Sequence, residues 1–340
     1  MRIFSVIFVL VSFCVHATER SLSIVIVGGG PAGLATAIEA LEMGADVTIV
    51  EQRDAYTRTQ LLFLFEPALD LLKKWDVSTP TMVIAELDKN QKVGVVEIRE
   101  LEYALANRTK ELNITLIHGK FTQVNPSSIE IIADNVPIEL PYDILVGADG
   151  VHSLVREEMN IPCICCGKTT AAAMFIPLAC APGKAEIPAA KPFQDLYFKR
   201  ILIPFGRIIM TQGTLSSFNA SRDVAGPEIF EEVARESGWI EEADLIAAGQ
   251  SIPTGTISVV LQQAMTFSDI SKSIILVGDA AAAAPFFQGR GANYTFKTAA
   301  IAGSFFKRVQ QEKTAAFRDF NDEIQCATDE LIQDSEYLMR

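Results

Sequence analysis

Gly28, Gly30 and Gly33, an acidic residue at Glu51, and two later couples, Asp149-Gly150 and Gly278-Asp279, are the residues of this 340-residue chain whose types and spacing can do chemistry. The first set follows the apolar run Ile24-Val25-Ile26-Val27, so strand, glycine turn, helix and acid come in the order that a dinucleotide site requires. Gly28 permits a tight turn out of the strand, Gly30 lets backbone N–H groups approach a pyrophosphate, and Gly33 lets the helix lie close on the sheet. Pro31 and Ala32 open that helix. Its N-terminal end offers unpaired N–H donors and about half a positive charge, which suits an anion without any basic side chain. Glu51 stands eighteen residues beyond Gly33, at the end of the apolar strand Val47 to Val50. A carboxylate there takes the ribose hydroxyls of an adenosine.

These residues need a scaffold, and the length suits a nucleotide-binding domain with a second region. Residues 60 to 75 carry leucines and phenylalanines at helical spacing and predict a core helix. A helix and strand run from Ile98 to Ile117, followed by a hairpin-like segment from Phe121 to Asn135. The run Ile144-Leu145-Val146 reads as a buried parallel strand that delivers Asp149-Gly150 to a loop. From about Lys168 to Phe267 the composition becomes proline-rich and β-prone, with strands at Leu196 to Pro204 and Arg207 to Thr214 and an acidic helix at Pro227 to Ser237. A buried strand returns at Ile274 to Val277 and delivers Gly278-Asp279; Gly289-Arg290-Gly291-Ala292-Asn293 then opens a helix to about Arg308, and an amphipathic helical segment closes the chain. The expected fold class is α/β, with a Rossmann-like dinucleotide-binding domain split between residues 18–167 and 268–308. A β-sheet-rich substrate domain at 168–267 is inserted into it, and 309–340 form C-terminal helices.

The formal charge of −13, without a basic cluster, argues against nucleic acid or an anionic membrane as partner. Residues 1–17 have the outline of a signal peptide: Arg2, an apolar run from Ile3 to Val15, and Val15-His16-Ala17 before Thr18. The run is shorter than the ~20 residues of a transmembrane helix, so stable membrane anchoring is not expected. Export to the periplasm or the exterior follows; without a functional signal the chain would be cytoplasmic. Cys163, Cys165 and Cys166 lack the histidines and the second cysteine pair of a zinc site, so no metal is expected, while a bridge from this cluster to Cys180 stays open.

Taken together, Gly28-x-Gly30-x-x-Gly33, Asp149-Gly150-x-x-Ser153-x-x-Arg156 and Gly278-Asp279 resemble the three motifs of the class A flavoprotein monooxygenases, the group typified by p-hydroxybenzoate hydroxylase. The likeness covers nearly all of the chain after residue 17. It implies that the split domain binds FAD: the first motif holds adenosine and pyrophosphate, Asp149-Gly150 serves FAD and the reductant NAD(P)H, and Asp279 holds the ribitol. Gly289, Gly291 and Asn293 would lie at the flavin ring, and Pro285-Phe286-Phe287 resembles a ring-walling segment of kynurenine 3-monooxygenase. Val50-Glu51-Gln52-Arg53 with Tyr56-Thr57-Arg58, and Ile98-Arg99-Glu100-Leu101, are similar to stretches of the MICAL-type methionine monooxygenases. That similarity makes Arg53, Arg58 and Arg99 candidates for FAD contacts. The chain departs from these patterns at Ala282, where relatives often carry histidine, and at Lys297 and Thr298, where an acid is common.

The resemblance implies a FAD-dependent monooxygenase that uses NAD(P)H and O2 through a C4a-hydroperoxyflavin to oxygenate a small aromatic or apolar substrate. The alternatives are a FAD-dependent reductase, dehydrogenase or oxidase without oxygenation, and a non-catalytic flavin-binding protein. His152 reads as a loop residue and not as a catalytic base.

Overall fold

The computed structural model describes residues 21–58, 60–86, 92–177, 191–193, 196–203, 206–213, 252–284 and 289–336. The signal-like segment, the acidic helix at Pro227 to Ser237, Pro285-Phe286-Phe287 and Cys180 lie outside these residues.

In chain order the elements begin β1 (Ser23–Val27), α1 (Pro31–Glu42), β2 (Asp46–Glu51), β3 (Leu61–Phe65), α2 (Glu66–Lys74), β4 (Val83–Glu86), β5 (Lys92–Glu97) and α3 (Ile98–Glu111). They continue through β6 (Thr115–His118), β7 (Lys120–Val124), β8 (Ser128–Ala133), β9 (Val136–Pro141), β10 (Ile144–Gly147) and α4 (Leu154–Glu158). The later elements are β11 (Cys163–Pro177), β12 (Lys191–Phe193), β13 (Leu196–Ile203), β14 (Gly206–Gly213), β15 (Ile252–Ala264), β16 (Ser268–Asp269), β17 (Ile274–Leu276), a 3-10 turn at Gly278–Ala280, β18 (Ala282–Ala283), α5 (Arg290–Val309) and α6 (Lys313–Glu336).

The central sheet has the order β16-β17-β10-β1-β2-β6; all its pairs are parallel except β16 with β17. Its inner strands are largely apolar because they are covered on their faces: Ile24, Ile26, Ile49, Leu145 and Ile275 are all fully buried. The sequence around β1 leaves β2 on one side and the much later β10 on the other, so a crevice opens at the carboxyl ends of these strands. α1, α5 and α6 pack on this sheet, with Phe305 edge-on to Phe317 at 4.9 Å between ring centres. α1 ends where Gly44 turns left-handed (φ +78°): Ala45 N–H bonds Ala40 O and Gly44 N–H bonds Leu41 O, closing a Schellman motif.

A second six-stranded sheet, β12-β13-β14-β11-β15-β18, holds the strands expected at Leu196 and Arg207. The hairpin-like segment becomes a three-stranded meander, β7-β8-β9. One element differs from expectation. The helix predicted over residues 60 to 75 is a strand followed by a helix, because Leu61–Phe65 pair antiparallel with β5, from Leu61 opposite Glu97 to Phe65 opposite Val93. Pro67 in the first turn of α2 then starts the helix. Short apolar runs fit either period, and pairing with a distant strand decided this one.

Candidate functional site

β1 runs straight into the glycine turn. Gly28 adopts φ +109° and donates its N–H to Val50 O at 2.8 Å, which ties the turn to β2. A Cβ at Gly33 would stand 1.8 Å from Gly28 O, so the first turn of α1 lies against the turn itself. Gly30 is the N-cap of α1 and no side chain caps that end; Pro31 follows in the first turn and Ala32 is buried. The open end of α1 therefore faces the crevice with donors unclaimed by any side chain.

The crevice is a cleft of about 570 Å³, within the ~300–1,000 Å³ of small-molecule sites. Gly28, Gly30, Pro31, Ala32, Glu51, Arg53, Arg58, Asp149, Gly150 and Asp279 all line it, so residues up to 251 positions apart in sequence meet there. His152 lines it as a loop residue as well.

On the β2 side, Glu51 is buried and uses both oxygens. Oε2 accepts from Gly29 N–H at 2.9 Å and from Arg53 Nη2 at 2.8 Å, while Oε1 accepts from Arg53 N–H at 2.8 Å. Burial would raise its pKa, but the bonds and charge of Arg53, with the Gly29 N–H, outweigh it and hold the carboxyl below the usual range. Tyr56 donates its hydroxyl to Gly29 O at 2.9 Å, and the Arg53 guanidinium lies 5.3 Å from the Tyr56 ring centre.

On the other side, Asp149 Oδ2 accepts from Leu154 N–H at 2.7 Å and Val155 N–H at 3.2 Å, capping α4, while Oδ1 is buried with no partner among the described residues. Burial raises the Asp149 pKa despite these bonds. Arg156 is buried and spans the two later motifs: Nη1 donates to Ala280 O at 2.8 Å and Nη2 to Val151 O at 3.0 Å. Gln262 of β15 donates to the same Val151 carbonyl at 3.0 Å, which ties the second sheet to the Asp149-Gly150 loop. Gly278 N–H donates to Thr298 Oγ1 at 3.0 Å, so the threonine that departs from the resembled pattern anchors the turn carrying Asp279. Asp279 remains open to water in the cleft, yet its walls crowd the carboxyl enough that burial pushes its pKa up to about 6 against the pull of Arg58. At Ala282 the side chain is buried in a small apolar cluster with Tyr294, and Lys297 pairs instead with Glu330 of α6 at 2.5 Å.

Six sequence candidates stand apart from the cleft lining. Arg99 opens α3 with its N–H on Arg58 O at 3.2 Å, but its Nε faces Glu97 at 2.6 Å. Asn293 spends its amide on backbone: Oδ1 accepts from Phe65 N–H at 2.8 Å, and Nδ2 donates to Phe63 O at 2.8 Å and Gly289 O at 2.6 Å. It fastens β3 to the left-handed Gly289 (φ +66°) that begins α5, while Gly291 has open space around it. Gly278 and Gly33 back the cleft from behind: a Cβ on Gly278 would lie 2.6 Å from Ala32 Cβ.

Sequence reasoning passed over Glu102. This fully buried carboxylate on α3 bonds Arg53 Nη1 at 3.2 Å and contacts Arg58 Nη2 more closely still. Only the Ile-Arg-x-Leu likeness beside it pointed to this turn of the helix.

The site fits a dinucleotide: an uncapped helix end, a buried Asp149 oxygen with no partner among the described residues, and the carboxylates of Glu51 and Asp279 lining one cleft. Comparison with known proteins agrees. Residues 15–163 match the family described as pyridine nucleotide-disulphide oxidoreductase. The F-actin-monooxygenase mical2b of Danio rerio is 28% identical over 149 residues, covering 38% of this chain and 8% of that protein, so the chain spans under a tenth of the length of that relative. The flavin-dependent halogenase CmlS superposes with a TM-score of 0.73 at 16% identity, covering 93% of this chain and 64% of that one. Aklavinone-11 hydroxylase, solved with FAD and aklavinone, does so with a TM-score of 0.65 at 16% identity, covering 85% and 63%. The chain therefore carries the FAD-binding fold of the class A-like flavoprotein monooxygenases, a fold of flavin-dependent oxidoreductases.

Proposed function

We propose that this protein is a FAD-dependent monooxygenase that takes electrons from NAD(P)H and oxygenates a small aromatic or apolar substrate. The observation that carries the reading is the convergence of Glu51, the Gly30 end of α1, Asp149 and Asp279 on one cleft. When bound, FAD supplies the two-electron transfer and the oxygen chemistry; the chain supplies binding, orientation and exclusion of water. Glu51 accepts the adenosine ribose hydroxyls in exchange for side-chain bonds it now makes to Arg53. The N-terminal amides of α1, with Arg53 and Arg58, hold the diphosphate. Asp279 accepts from the ribitol, and hydroxyl donors at that carboxylate favour its ionised form, drawing its pKa down from about 6. Asp149 Oδ1 accepts a further donor from the cofactor. The division into a FAD-binding domain (18–167 and 268–308), a substrate layer (168–267) and a C-terminal segment (309–340), with export through residues 1–17, belongs to the same proposal. In its support, the second sheet touches the Asp149-Gly150 loop through Gln262.

The test is the purified chain from Thr18 onward. The bound-flavin spectrum is recorded, then NADH and NADPH oxidation in air with hydrogen peroxide quantified. Bound FAD, nicotinamide oxidation and a peroxide yield that falls when a substrate is added support the proposal. Peroxide that no substrate lowers assigns the oxidase alternative, and FAD that no nicotinamide reduces assigns another electron donor or a binding role. Absence of FAD binding refutes the reading altogether.

A further inference from the structure

A carboxylate is almost never fully buried without partners, and Glu102 is buried completely in the middle of α3. Its neighbours on the helix, Leu101 and Leu105, show that packing alone is met by apolar side chains here. Glu102 instead gathers two cations on one oxygen. Oε1 accepts from Arg53 Nη1 and Arg58 Nη2, while Oε2 has no hydrogen-bond partner among the described residues. Both arginines line the cleft. A Cβ built on Gly30 would meet Arg53 Nη2 at 3.7 Å, Arg58 Nη2 at 4.0 Å and Glu102 Oε1 at 4.0 Å, so the whole cluster stands beside the uncapped end of α1.

The two guanidiniums differ in what restrains them. Arg53 is held also by Glu51, whereas the one ion pair of Arg58 among the described residues is with Glu102. Arg58 is 43% exposed, a long flexible cation that its like-charged neighbour would push away from the cleft. We propose that Glu102 is a positioning residue: its buried carboxylate pre-sets Arg53, and above all Arg58, for the diphosphate of the bound dinucleotide. The inference rests on the FAD reading above and deepens it by naming what orders its cationic side.

Simple charge counting makes the opposite forecast. Removing a negative charge beside a diphosphate site raises the positive field there, so a site governed by field alone binds FAD more tightly after Glu102→Gln. A site governed by preset geometry binds it more weakly, because ordering Arg58 must then be done by the ligand. The sign of the change separates the two.

The experiment titrates the full chain with FAD by flavin fluorescence, for the native protein, Glu102→Gln, Arg58→Gln and the double variant. The melting temperature of each ligand-free protein is recorded alongside. Glu102→Gln is expected to weaken FAD binding roughly tenfold. The double variant is expected to bind little more weakly than Arg58→Gln alone, because Glu102 acts chiefly through that arginine while Arg53 keeps its bond to Glu51; a merely structural role would give additive losses. Affinity at or above the native value in Glu102→Gln, or additive losses in the double variant, overturns the proposal while leaving the FAD reading intact. Failure of the native chain to bind FAD overturns both. Should Glu102→Gln melt too low to assay, Glu102→Asp, which keeps the charge but retracts it by one methylene, carries the test: weaker binding supports the proposal and native affinity overturns it.

Discussion

Gly30 and Gly33 lie three residues apart, yet the structure assigns them opposite liabilities, and alanine at each separates folding from binding. At Gly33 a Cβ would fall 1.8 Å from Gly28 O and 3.0 Å from Gly28 C, both backbone atoms of a turn pinned to β2. Ordinary contact begins near 3.4 Å, so α1 must retreat from β1 by more than an ångström. That helix is buried from Ala32 to Ala40, so the displacement disturbs well-packed core on its far side. Overpacking of this kind costs about 1–3 kcal/mol, which lowers the melting temperature by roughly 2–6 °C in a chain of this size. At Gly30 the backbone is extended (φ −79°, ψ −175°), a conformation any residue adopts, and the nearest atom to a Cβ is Arg53 Nη2 at 3.7 Å. Gly30→Ala therefore lowers the melting temperature of the ligand-free protein by only about 1–2 °C, the cost of alanine at an N-cap, because nothing clashes. It nevertheless places a methyl group where the diphosphate must approach, weakening FAD binding by tenfold or more, a loss of ~1.4 kcal/mol per decade. Thermal melts and FAD titrations of both variants decide the matter. A Gly30→Ala protein that melts as low as Gly33→Ala, or one that binds FAD with native affinity, refutes this account of the turn.

Asp279→Asn is expected to stabilise the ligand-free protein at pH 7 while weakening FAD binding. With a folded pKa near 6 against 3.8 for the free side chain, the carboxyl keeps its proton in the folded state after the unfolded chain has lost it. Stability therefore falls as pH rises from about 4 to 6 and is level above, and the advantage of the asparagine variant should vanish near pH 4 in pH-resolved melts. A variant that melts lower than the native protein at pH 7 contradicts this. Arg156→Ala breaks two bonds, to Ala280 O and Val151 O, that tie the Asp149-Gly150 loop to the Asp279 turn. A destabilisation of about 1–3 kcal/mol follows from leaving the Ala280 carbonyl without this partner, since Val151 O keeps Gln262, and urea unfolding measures it. Asn293→Ala frees Phe65 N–H, Phe63 O and Gly289 O together. It is expected to cost about 1–3 kcal/mol and to raise amide exchange in β3 and the first turn of α5; unchanged protection there would remove Asn293 from this role.

The first strand, glycine turn, helix and Glu51 were legible in the sequence because each depends on neighbours close along the chain. An apolar run buried on both faces makes the strand, glycine conformations make the turn, and a helix flush against it needs Gly33. The later couples were legible for the same reason, since each directly follows its own buried strand. What the tertiary structure alone decided involves partners far apart in sequence. Leu61–Phe65 became a strand because β5, some thirty residues on, supplied its hydrogen bonds. Asn293 spends its amide on the backbone of β3, 228 and 230 residues away, since the β3 edge offered a donor and an acceptor together. Arg99 pairs with Glu97, while Glu102, 49 and 44 residues from its two arginines, is a buried partner of theirs that the sequence had not marked. A buried charge is fixed by whichever opposite charges the fold brings within hydrogen-bond reach, and spacing along the chain does not encode that.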